Sequence, residues 1–268
     1  MSDRYQPVDP AGEPTPPPWN ATPPEPPKAW WRRRWAAIVG GAAVLLAYPI
    51  AKIAIGFFAV SVIGGAVSGA FGNQWERLPS DVRDDLTAQM QDAYGDSLDN
   101  LSNEQASAKM EADVRHGMLR IDDETLIHRL QLQTSALNKL ALADCAAFAR
   151  SSLAGERAPD ELLNSIQEAL DAAEYQAWIT IAVQAAVAER IGSPEVRNVS
   201  DADQNAAINT WLSSLSESEL AGLQAVVADP SRSDEEFCDA AKSVYNRSLT
   251  MDHDLLAMIA YIDVAQAP

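Results

Sequence analysis

Three histidines, two cysteines, thirteen glycines and few aromatics are spread over 268 residues. Each scarcity removes a class of chemistry. Two cysteines without CxxC spacing provide neither a zinc framework nor a dithiol redox motif. No nucleotide-binding loop occurs among the sparse glycines. Nothing resembles a nucleophile elbow, so the many serines have no assigned base. An aromatic content of 7% suits helices packed through small aliphatic contacts better than a β-sandwich core. Basic residues are also in deficit, with 20 Lys and Arg against 38 Asp and Glu. The deficit is concentrated after residue 71. Residues 72–268 hold 14 basic and 34 acidic residues, a net of −20. Such a surface repels phosphate backbones and excludes nucleic acid as a natural partner.

Alanine is abundant at 46 residues, beside many Leu, Gln, Glu and Arg. All are good helix formers, so the expected fold class is all-α. The chain divides into three parts. Residues 1–29 carry ten of the sixteen prolines and form a Pro-rich tail that cannot build a core. Residues 30–72 form a collar and an anchor. Residues 73–268 form an acidic helical domain.

The collar is Trp30-Trp31-Arg32-Arg33-Arg34-Trp35. Indole rings favour the headgroup level of a bilayer, and clustered arginines favour its cytoplasmic side. From Ala36 to Phe71 the only charged residue is Lys52. A span needs about 20 apolar residues, so at least one transmembrane helix is expected there. A hairpin would require Pro49-Ile50-Ala51-Lys52 to turn within or near lipid, without Gly, Asn, Asp or Ser to form the turn. A single span, kinked at Pro49 with Lys52 snorkelling, is the preferred reading. It places the tail in the cytoplasm and residues 73–268 outside, at the cell membrane. Ser61, Gly65 and Gly69 recur every fourth residue and would give that helix a flat packing face. The expected partners are the lipid bilayer and either another protein or a second copy of the chain.

In the acidic domain the apolar period is 3.6, and about eight helices are expected. One starts with Ser80 as its N-cap. Capping boxes open others at Ser102, Ser216 and Ser233. One helix is expected from Asp122 or Asp123 to about Ser151. Another, unusually long, is expected from Pro159 to Ile191. Cys145 and Cys238 fall on apolar faces, and Ala147/Ala240 and Ile166/Ile259 repeat their offset of 93, which suggests two related halves. Outside the membrane, an isolated cysteine pair forms a disulfide. Their Cα atoms should then lie about 4.4–6.8 Å apart.

Catalytic residues cannot be named from these patterns, and no metal site or cofactor is expected. Glu124 and His128 share a helix face and are the best place to look for an enzyme site. The leading expectation is a membrane-anchored envelope protein whose helical domain mediates protein interaction or assembly. A tethered sensor binding a small ligand between helices is the second reading, and an enzyme near Glu124 and His128 is the third.

Overall fold

A computed structural model describes residues 75–98, 101–154 and 158–265. Ten α-helices and no strand occur among them, so the domain is all-α. No helix among the described residues is long and apolar enough to cross a membrane. The Trp/Arg collar, the anchor at 36–71 and the Ser61, Gly65 and Gly69 face lie outside the described residues.

Side-chain caps set most helix starts. Helix α1 is Ser80–Tyr94; its N-cap is Pro79, one residue earlier than the expected Ser80, which is already helical. Gly95 ends α1 with a positive φ of 48°, and a 3₁₀ turn covers Gly95–Leu98. Helix α2, Asn103–Met118, opens on the expected capping box of Ser102 and Gln105. Helix α3, Asp123–Lys139, is capped by Asp122, which accepts from the Thr125 backbone N–H.

Two expected long helices are each divided. The first breaks at Leu140, which is extended and buried, and α4 runs Leu142–Ala154. The second gives α5, Asp160–Ala169, and α6, Ala172–Ile191. Here the cause is local. Asp171 accepts from the backbone N–H groups of Ala173 and Glu174, and Glu174 reaches back to the Asp171 N–H. That capping box starts a new helix and so ends the old one. Helix α7 is Asp201–Ser214 and α8 is Glu217–Ala228. Helix α9 is Asp234–Ser248 and α10 is His253–Ala265. The boxes at Ser216 and Ser233 form as expected.

Helix α6 is the central element. Tyr175, Trp178, Ile179, Ile181, Val183 and Ala186 are buried around much of its circumference. It packs against α1, α2 and α3. At the α2 crossing, a Cβ built on Gly117 would lie 1.7 Å from the Ala185 carbonyl oxygen. Only a glycine permits that backbone approach. Helix α3 packs on α10, and α4 packs on α9. Cys145 and Cys238 are bonded across the α4–α9 contact, with Cα atoms 5.2 Å apart, inside the expected range. Beside them Ala146, Ala149, Val226, Phe237 and Ala240 form a satellite core. Arg77, entering before α1, donates to the carbonyls of Gln167 and Leu170 and stacks on Tyr175. It thereby satisfies carbonyls at the end of α5.

Candidate functional site

The strongest candidate is an open groove of about 630 Å³. It is bounded by α1, the corner between α2 and α3, the C-terminal half of α6, and the 192–200 strap that joins α6 to α7. Gly192, in the left-handed region at φ 69°, ends α6 and releases the chain into this strap.

Two arginines fix the strap to the body. Arg120 donates through Nε to Glu189 at 2.7 Å and through Nη1 to the Pro194 carbonyl at 2.8 Å. Arg197 pairs with Asp123 and donates to the Ile121 carbonyl at 3.3 Å. Its guanidinium lies 5.0 Å from the centre of the Tyr261 ring, and the Tyr261 hydroxyl donates to the Arg197 carbonyl. Both cations are therefore engaged in building the groove wall. Other groups there remain available. The Gln184 amide and the Glu195 carboxylate are exposed, and neither has a hydrogen bond or ion pair among the described residues. Asp122 accepts only from Thr125, as a helix cap. Ile191 is 61% exposed at the lip, and Val196 on the strap is 44% exposed. Together they give the lip and the strap some exposed aliphatic surface.

Two other pockets among the described residues are far smaller. One of about 20 Å³ lies between Phe148, Ser152, Val226 and Phe237. One of about 10 Å³ lies beside Arg129 and Trp178. A single water needs roughly 10–15 Å³, so each has room for a water and not for a metabolite.

A buried polar network crosses the core. Arg129 of α3 pairs with Asp263 of α10, and the Arg129 guanidinium lies 5.7 Å from the centre of the Trp178 ring. Gln133 Nε2 donates to the Tyr245 hydroxyl at 2.9 Å. Arg129 Nε, Gln133 Oε1 and Asp263 Oδ1 are buried and have no hydrogen-bond partner among the described residues. Burial pushes the Asp263 carboxyl up to about 6, with Arg129 opposing the rise, and burial pushes the Tyr245 phenol well above its usual value. The sequence places Tyr245 on the apolar face of its helix, but Arg129, Gln133 and Asp263 were not singled out from it. The signal was present nonetheless. Arg129 and Gln133 stand three and seven residues after Leu126 on the buried face of α3. Asp263 stands four after Ile259 on the buried face of α10.

Glu124 and His128 are not brought together as a site. His128 is exposed on α3, while the Glu124 carboxylate accepts from His253 Nε2 of α10 at 2.7 Å. Glu124 first, and then Asp254, raise the His253 pKa. His116 stands elsewhere, 4.0 Å from Glu189. No group of three or more potential metal ligands occurs among the described residues. Among the described residues, the fold joins the expected pair Cys145 and Cys238. No family model, curated protein or solved structure matches the chain.

Proposed function

We propose that this chain is a membrane-anchored envelope protein whose helical domain docks a partner protein in the groove between α1, α6 and the strap. The observation that carries the proposal is the groove itself, with Ile191 61% exposed at its lip and about 630 Å³ of open space beside it. The sensor reading has less support, because the two pockets between helices are water-sized. The enzyme reading has less again, because Glu124 engages His253 and His128 stands exposed.

The anchor rests on residues 36–71, whose single charge is Lys52. A single span with Arg32–Arg34 on the cytoplasmic side places the helical domain outside. The Cys145–Cys238 bond supports that placement, since such bonds persist in oxidising compartments. Protease added to the outer face of intact cells should digest residues 73–268 and leave the tail. Protection of the helical domain would contradict this topology.

Duplication belongs to the same reading. The starts of α3 and α8 are 94 residues apart, those of α4 and α9 are 92 apart, and those of α5 and α10 are 93 apart. The disulfide joins two equivalent positions of that register. The packing has diverged, since α3 rests on α10 whereas α8 rests chiefly on α9.

Docking is tested by Ile191→Asp. The side chain is exposed, so its replacement leaves the fold intact. The variant should lose the complexes that chemical crosslinking recovers from native membranes with the wild type. Unchanged recovery would contradict the groove as the docking surface.

A further inference from the structure

We infer that the groove takes a basic–apolar segment of the partner, one that places a Lys or Arg side chain beside aliphatic ones. This rests on the docking reading above and adds the chemistry of the occupant.

Arg120 is engaged by Glu189 and the Pro194 carbonyl, and Arg197 by Asp123 and the Ile121 carbonyl. The positive groups on the wall are thus neutralised locally. Glu195 makes no ion pair among the described residues, and the Asp122 side chain carries only its capping bonds. The uncommitted charge is therefore negative. It sits in a domain segment, residues 72–268, whose net charge is −20, so an acidic segment would meet repulsion on approach and on docking. Between the carboxylates the floor is aliphatic, with Val187, Ala188 and Ile191 following one face of α6. The exposed Gln184 amide has both a donor and an acceptor available, which suits the backbone of a partner segment. An apolar segment without a cation would leave Glu195 and Asp122 partly desolvated and unpaired, which disfavours it.

The experiment selects peptides from a random displayed library on the full chain in lipid nanodiscs, with Ile191→Asp protein used to remove binders that do not need the groove. Enriched peptides are then measured on the wild type and on Glu195→Gln, Asp122→Asn and Glu235→Gln. Glu235, in the first turn of α9, is an exposed acid outside the groove and controls for general attraction to an acidic protein. The inference predicts Lys or Arg beside aliphatic residues in the enriched set. It also predicts an affinity loss of about fivefold for Glu195→Gln, the size of one exposed ion pair, and little change for Glu235→Gln. Because Asp122 also caps α3, Asp122→Asn, which retains a capping side chain, serves as the conservative second variant. Enriched peptides without a cation, or equal losses from Glu195→Gln and Glu235→Gln, would overturn the charge assignment and leave the groove standing. Failure to enrich any peptide that distinguishes wild type from Ile191→Asp would overturn both.

Discussion

Arg129 of α3 and Asp263 of α10 form an ion pair in the interior of the domain, with side chains 2% and 0% exposed. It is incompletely satisfied, since Asp263 Oδ1 and Arg129 Nε lack partners among the described residues. Taking two charges out of water is costly, and only excellent geometry recovers the cost. Asp263→Ala, which leaves Arg129 charged and alone, should lower stability by about 3–5 kcal/mol. The double replacement Arg129→Met/Asp263→Leu should be far milder, because it removes both charges from the same apolar surroundings. Urea unfolding of the wild type and the two variants checks this. A double variant as unstable as Asp263→Ala would show that the pair's geometry, and not its buried charge, matters.

The same residue gives a pH dependence. Burial raises the folded-state pKa of Asp263 to about 6, whereas an unfolded aspartate titrates near 3.9. Between those values the folded protein holds a proton that the unfolded chain has lost. Its contribution to stability is therefore fully present below about pH 4 and is lost as pH rises towards 6. Two pKa units correspond to about 3 kcal/mol. Asp263→Asn lacks this titration, so the stability of wild type relative to Asp263→Asn should fall from pH 4.5 to 6.5 and level off above. A relative stability that rises with pH would mean that Arg129 dominates and the carboxyl is depressed.

Cys145 and Cys238 are 93 residues apart, a long loop to close. Chain entropy alone would make the bond worth about 4–5 kcal/mol, with strain reducing that figure. Cys145→Ser should lower the melting temperature, and Cys145→Ser/Cys238→Ser should add little, because one bond is lost either way. Thiol titration of the unfolded, unreduced protein should find no free cysteine. Two titratable thiols would remove the bond and the support it lends to an extracytoplasmic location.

Two helical glycines should respond in opposite directions. Gly117 meets the Ala185 carbonyl, so Gly117→Ala forces α2 and α6 apart and should cost about 1–3 kcal/mol or more. Gly222 of α8 has open space around its Cβ position, so Gly222→Ala should gain about 0.5–1 kcal/mol from helix propensity. Thermal melts of the two single variants decide it, and a stabilising Gly117→Ala would refute the close crossing.

What could be read in advance follows from how local its cause is. The caps at Ser102, Ser216 and Ser233 are written within four residues each, and they form as expected. Asp171 and Glu174 carry the same kind of signal, hidden inside a long apolar run that reads as one helix. The break at Leu140 has no local signature, because Leu140, Ala141 and Leu142 are all good helix formers. Tertiary burial of Leu140 accompanies the break, and a periodicity argument cannot see it. Gly117 reads as an interruption of the α2 stripe and is in fact its contact point. The disulfide was legible because only one pairing is possible. The groove was not, since it depends on a strap held by Arg120 and Arg197 to residues more than 60 positions away.

The central claim is that the strap groove is where a partner docks. The most direct measurement is photocrosslinking in intact cells from a reactive amino acid placed at position 191, compared with one at position 142. Leu142 is also exposed, at 53%, but lies at the start of α4, outside the groove. The account predicts a discrete protein adduct from position 191 that a groove-selected peptide displaces, and none from position 142. No adduct from position 191, or the same adducts from both positions, would contradict it.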